Sequence, residues 1–175
     1  MPPTPDATHD NSEQDRAEWA VQPPEPLFGR DAELNALRFA LEGQSGVLLY
    51  GPPGIGKTAL AARVAQEYAD LPGEGLWFTL HHDPLHALLN QVARAYAAEV
   101  IGPEDNLDAQ FAVVRDLLQA NRPLVVLDGT IDVNAVRQFA HRCASDVPLL
   151  ITPPRRVSGP WAEHEVTPLD GDAAN

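Results

Sequence analysis

Gly51-Pro52-Pro53-Gly54-Ile55-Gly56-Lys57-Thr58 is the stretch on which the reading of this 175-residue chain turns. It follows a short apolar run, Gly46 to Tyr50, too brief for a helix. It precedes an alanine-rich stretch, Ala59 to Ala69, with Leu60, Val64 and Tyr68 on one helical face. Strand, glycine turn and helix in that order are the setting in which G-x-x-x-x-G-K-[ST] cradles a polyphosphate. Glycines let successive backbone N–H groups turn toward the anion without Cβ obstruction, and the following helix adds the positive end of its dipole. Lys57 is expected to reach the β- and γ-phosphates and the Thr58 hydroxyl to ligate Mg²⁺. The expected nucleotide contacts are therefore Gly51, Pro52, Pro53, Gly54, Ile55, Gly56, Lys57, Thr58 and Ala59. Lys57 is the only lysine beside 11 arginines. It stands where a compact, flexible ammonium is hard to replace by a planar guanidinium.

Outward from this loop the chain alternates strand and helix. Leu124-Val125-Val126-Leu127 is a continuous apolar run of the kind shown by parallel strands buried on both faces, and it stops at Asp128. A carboxylate at such a strand tip can hold Mg²⁺ through water, which makes Asp128 the partner acid of the phosphate loop and, with Thr58, a candidate metal ligand. The 71 positions from Lys57 to Asp128 leave room for a helix, a strand and two more helices. That spacing fits the branch of phosphate-loop proteins with a strand inserted between the two motifs.

Other elements follow from pattern and caps. Asp31 reads as the N-cap of a helix carrying Leu34, Leu37 and Leu41 up to Gly43. Leu76 to Leu80 reads as a second buried strand, and Asp83-Pro84 as the cap and first turn of a helix with Leu85, Leu88, Leu89, Val92 and Tyr96. Further helices run from Leu107 through Leu118 and from Val133 to Cys143. Leu149 to Thr152 is a fourth strand and Glu165 to Leu169 a fifth. The prediction is an α/β fold in three layers, a mainly parallel sheet of about five strands with helices on both faces and ligands at the strands' C-terminal ends.

Composition narrows the function. Twenty-five acidic side chains against 12 basic ones give a net charge of −13. Such a chain lacks the basic surface that supplies non-specific nucleic-acid affinity, so DNA and RNA are not expected partners. The charge is concentrated at the ends: residues 1–26 carry −5, residues 161–175 carry −4, and residues 27–160 only −4. Residues 1–26, with six prolines and six acids, are expected to be a disordered acidic tail with at most a weak helix around Ser12 to Val21. No apolar run approaches the length of a membrane span, and the N-terminus is the reverse of a secretory signal, so a cytoplasmic location is expected. Cys143, the single cysteine, fits a reducing compartment and reads as core.

Together with the phosphate loop and Leu124-Val-Val-Leu-Asp128, three further segments complete a pattern: Leu27-Phe-Gly-Arg-Asp-Ala-Glu-Leu, Leu149-Leu-Ile-Thr152 with arginines nearby, and Val166-Thr-Pro-Leu-Asp-Gly-Asp-Ala. In this order they resemble the STAND NTPases, including NB-ARC domains, over about residues 27–174. The resemblance implies a nucleotide-dependent molecular switch that holds ADP at rest, exchanges or slowly hydrolyses ATP, and acts on protein partners or on further domains of its own chain. It implies that Phe28, Gly29 and Arg30 lie over the adenine. An arginine after the fourth strand would sense the γ-phosphate, and with Pro153-Pro154 intervening, Arg155 and Arg156 are both candidates. It also sets residues 27–170 as the nucleotide-binding domain and residues 171–175 as the start of a following helix or tail.

One departure bears on catalysis. Where the family often has a second acid after the strand-tip aspartate, this chain has Gly129, and Asp132 is the nearest substitute to position the attacking water. Two other readings stay beside the switch. One is a non-hydrolysing nucleotide-binding interaction module, favoured by Gly129; the other is an AAA-type ATPase acting on DNA, disfavoured by the charge. His81, His82 and His86 follow the second strand without a Cys or close Glu to complete a zinc site.

Overall fold

The computed structural model describes residues 27–43, 46–69, 75–98 and 106–169. The expected acidic tail at 1–26, its weak helix and the start of a further helix at 171–175 lie outside the described residues. Among the described residues ten elements follow one another: α1 (Asp31–Gly43), β1 (Gly46–Tyr50), α2 (Lys57–Ala69), β2 (Gly75–His81), α3 (Leu85–Ala95), α4 (Leu107–Asn121), β3 (Leu124–Thr130), α5 (Val133–Arg142), β4 (Leu149–Thr152) and β5 (Ala162–Glu165). The strands form one sheet in the order β2-β3-β4-β1-β5, every neighbouring pair parallel.

Side chains alternate across this sheet, as the two-residue period of a strand requires. Leu48, Phe78, Leu80, Val125, Leu127, Leu149 and Ile151 meet α3, α4 and α5 on one face. Val47, Leu49, Trp77, Leu124, Val126 and Leu150 meet α1 and α2 on the other. Because both faces are covered, β1, β3 and β4 carry continuous apolar runs, Val47 to Leu49, Leu124 to Leu127 and Leu149 to Ile151, rather than alternations. β4 lies between β1 and β3, so the strand that leads into the phosphate loop and the strand that carries Asp128 are separated by one inserted strand. Cys143 is buried against this core, where desolvation pushes its thiol up to about 12.

The element boundaries correct several expectations. β5 is Ala162–Glu165, not Glu165 to Leu169. It pairs only with β1, at the sheet edge, so backbone hydrogen bonding places it and an apolar sequence is not required. β3 does not stop at Asp128 but continues through Gly129 and Thr130, which pair with Leu80 and His81. Helix α3 is capped by Pro84 rather than Asp83. The Asp83 carboxylate instead accepts from the His81 N–H at 2.6 Å and pins the end of β2. Asp31 is the first residue of α1, and the Arg30 carbonyl accepts from the Leu34 N–H at 2.9 Å. Among the described residues no helix is long and apolar enough to cross a membrane.

Candidate nucleotide-binding site

The sheet order puts the tips of β1, β4 and β3 side by side, and the sequence-predicted chemistry gathers there. β1 ends at Tyr50; the chain then turns through residues 51–56 into α2, whose first residue is Lys57. Pro52, Pro53 and Gly54 are exposed, Gly51, Ile55 and Gly56 half-buried, and Thr58 and Ala59 half-buried in the first turn of the helix. The turn closes with the Ile55 N–H donating to the Pro52 carbonyl at 3.3 Å and the Leu60 N–H to the Gly56 carbonyl at 2.9 Å. Lys57 is 9% exposed. Its ammonium donates to the Gly51 carbonyl at 2.8 Å and the Pro52 carbonyl at 3.0 Å, folding back over its own loop. Burial lowers the Lys57 pKa from the ordinary lysine value, while Asp128 pulls it the other way.

Two residues before the end of β3, the Asp128 carboxylate accepts two hydroxyls on one oxygen, Oδ1. Thr58 donates from α2 at 3.1 Å, and Thr152 donates from the end of β4. Thr152 is buried and stands directly opposite Asp128 in the β3–β4 register. It was not among the sequence-predicted site residues. The available signal was a lone hydroxyl closing an otherwise apolar strand, Leu149-Leu150-Ile151-Thr152. Thr58 and Asp128 offer hard oxygen donors within hydrogen-bond distance of each other, a donor set that fits Mg²⁺ and would suit no soft metal.

The position after Asp128 is closed. Gly129 has φ 106°, and a Cβ there would stand 2.6 Å from the Leu80 carbonyl oxygen of the neighbouring strand. No side chain fits without moving backbone. Asp132, the expected substitute acid, is the N-cap of α5: its Oδ1 accepts from the Asn134 and Ala135 N–H groups, both at 3.0 Å. That places it just before the helix, with one carboxylate oxygen committed to the cap.

The three N-terminal candidates separate. Phe28 is 72% exposed and Gly29 exposed with φ 70°, while Arg30 is 6% exposed. The Arg30 guanidinium donates to the Thr167 carbonyl at 2.8 Å and the Ile55 carbonyl at 3.0 Å, and pairs with Glu33. Of the two arginines after β4, Arg156 donates to the Glu163 carboxylate at 2.6 Å and lies 5.4 Å from the Tyr50 ring centroid. Arg155 is exposed and has no ion-pair partner among the described residues.

The family model described as AAA ATPase domain matches residues 26–153. A protein of Bifidobacterium animalis subsp. lactis described as an AAA ATPase forming ring-shaped complexes is 34% identical over 117 residues, which are 66% of this chain and 20% of the relative. The chain thus spans about a fifth of the length of that relative. Two solved structures share the fold. One is a STAND protein with a tetratricopeptide repeat sensor from Pyrococcus horikoshii, at TM-score 0.65 and 20% identity over 89% of this chain and 25% of that one. The other is Cdc6p from Pyrobaculum aerophilum, at TM-score 0.60 and 17% identity over 79% of this chain and 42% of that one. With its strand, phosphate-loop motif and helix inside a family match that covers most of its length, this chain belongs to the AAA ATPase domain family.

Proposed function

We propose that residues 27–170 form the nucleotide-binding core of a molecular switch of the STAND type, which holds ADP or ATP with Mg²⁺ and turns ATP over slowly. The observation that carries this reading is the meeting of Lys57, Thr58 and Asp128: residues 70 positions apart bring a hydroxyl and a carboxylate to 3.1 Å beside the chain's only lysine. In this reading Lys57 leaves the Gly51 and Pro52 carbonyls and exchanges two neutral acceptors for phosphate oxygens, which make stronger, charge-assisted bonds. Thr58 and Asp128 hold Mg²⁺, which when bound neutralises charge on the phosphate oxygens. The loop from Gly51 to Ala59 wraps the phosphates, Phe28 and Gly29 lie toward the base, and Arg155 is the freer of the two candidate γ-phosphate sensors.

Slow turnover is supported by what stands after Asp128. Position 129 admits no acid, and Asp132 is drawn into a helix cap, so neither is poised to activate water. A protein partner would supply what the isolated domain lacks. Further copies of this chain are one form of partner, by analogy with the ring-shaped complexes of the Bifidobacterium relative. Twenty-five acids against 12 basic residues keep nucleic acid out of the proposal.

The same observation at Gly129 favours a second reading, a module that binds nucleotide and recruits partners without hydrolysis. Single-turnover phosphate release from ATP, compared between wild type and Lys57→Ala, separates the two. Release that is slow but Lys57-dependent supports the switch. Release at background with nucleotide bound leaves the module, and absence of nucleotide binding removes both.

A further inference from the structure

We propose that Arg30 is a positioning residue that couples the phosphate loop to the segment by which the chain leaves the sheet, so that nucleotide in the loop and the ordering of residues 166–169 reinforce each other. The inference rests on the reading that the loop binds nucleotide. Arg30 sits immediately before α1 and is almost wholly buried. One nitrogen of its guanidinium, Nη2, donates to Ile55 in the loop; the other, Nη1, donates to Thr167, two residues beyond β5, and pairs with Glu33. A planar guanidinium holds its donors at fixed separation, so it can fix the distance between two carbonyls in a way a flexible ammonium cannot. Glu33 balances the buried charge, which leaves both backbone bonds as the contacts that depend on where loop and exit segment stand.

Two more contacts make the exit segment a wall of the loop. The Val166 N–H donates to the Tyr50 carbonyl at 2.8 Å, extending the β1–β5 pairing up to the residue before Gly51. Val166 is fully buried, and its carbonyl approaches Gly51 so closely that a Cβ at position 51 would meet the oxygen at 2.7 Å. Phosphate binding fixes the loop backbone, and the Ile55 carbonyl with it. A fixed Ile55 carbonyl favours the Arg30 bridge, and the bridge holds Thr167. By linkage the effect is reciprocal: whatever displaces residues 166–169 weakens nucleotide binding. Arg30 thus acts through the backbone of the loop, where the family resemblance places it over the base.

The test is amide hydrogen exchange of the exit segment in the purified chain, with and without saturating Mg·ADP, alongside titration with fluorescent ADP and a thermal melt for each variant. In wild type, ADP slows exchange over Val166 to Leu169 by about fivefold or more. Arg30→Gln binds ADP about tenfold more weakly, the equivalent of one charge-assisted hydrogen bond, and shows no slowing even when saturated. Arg30→Lys, able to satisfy one carbonyl at a time, retains part of the slowing. If Arg30→Gln does not fold, wild type and Arg30→Lys decide. Absence of ADP-dependent slowing in wild type, full slowing in ADP-saturated Arg30→Gln, or full slowing in Arg30→Lys overturns the coupling. Lys57→Ala separates the premise: if it binds ADP as wild type does, the nucleotide reading fails and this proposal with it, whereas loss of binding there with slowing retained in Arg30→Gln sinks the coupling alone.

Discussion

The tips of β1 and β3 are built alike at one residue and put to opposite use. Each strand meets a glycine pressed against the carbonyl of a neighbour: Gly51 against Val166 and Gly129 against Leu80, with an added Cβ at 2.7 Å and 2.6 Å respectively. After Gly51 the chain opens into a loop of glycine, proline and isoleucine that offers backbone to a ligand. After Gly129 it continues as strand, paired through Thr130 with His81. Close approach therefore joins the loop to the exit segment at one tip, and at the other excludes a side chain from the place where the STAND resemblance leads one to expect a second acid. One device makes a binding surface dependent on distant backbone, and the other fixes the chemistry available beside Asp128.

The contrast predicts unequal responses to substitution. Gly129→Glu is the most damaging: a non-glycine residue at positive φ and a backbone clash together cost about 3 kcal/mol of folding stability, and phosphate release does not rise. A chemical melt with a single-turnover assay checks it; a stable variant with faster release would mean the tip is not closed. Gly51→Ala costs about 2 kcal/mol through the Val166 carbonyl and weakens ADP binding as well, seen by the same melt and by titration. Thr152→Val removes one of the two donors on the Asp128 oxygen and costs about 1.5 kcal/mol, with the Mg²⁺-dependent part of ATP affinity reduced more than the Mg²⁺-independent part.

The smallest effect is in pH, and the single lysine makes it directly visible. Burial keeps the folded, nucleotide-free Lys57 pKa below the ordinary value of 10.5. Below that lowered pKa the folded and unfolded chains both hold the proton and the burial penalty on stability is complete. It fades as pH rises through the folded pKa toward the unfolded one. Phosphate favours the charged form, so ADP affinity falls over the same alkaline range in which the folding penalty is relieved, and binding takes up a proton. NMR of selectively lysine-labelled protein reports one ammonium; its midpoint should lie below 10.5 without ADP and move upward with it. A midpoint indifferent to ADP would contradict contact between Lys57 and phosphate.

Sequence carried most of the fold because its strongest signals are local. β1, β3 and β4 are covered on both faces and so hold continuous apolar runs, and the loop motif sits between the strand and helix that its chemistry needs. β5 was less legible because an edge strand is placed by backbone pairing, and Ala162-Glu163-His164-Glu165 shows no apolar run. The site divides in the same way. Lys57, Thr58 and Asp128 follow from spacing and residue type. Thr152 is a common strand residue until the β3–β4 register sets it opposite Asp128. The contact of Arg30 with Thr167 spans 137 positions and depends on where β5 docks, which no local pattern encodes. Gly129 could be read as a missing acid, but its closed backbone setting is a product of β2 pairing.

The central claim is that the loop ending in Lys57 and Thr58 is a nucleotide site, and its most direct test is a calorimetric titration of Mg·ADP into wild type and Lys57→Ala at matched stability. Saturable one-site binding by wild type, weakened at least about tenfold in the variant, is the predicted result. Equal binding by the two proteins, or none by wild type, would contradict it.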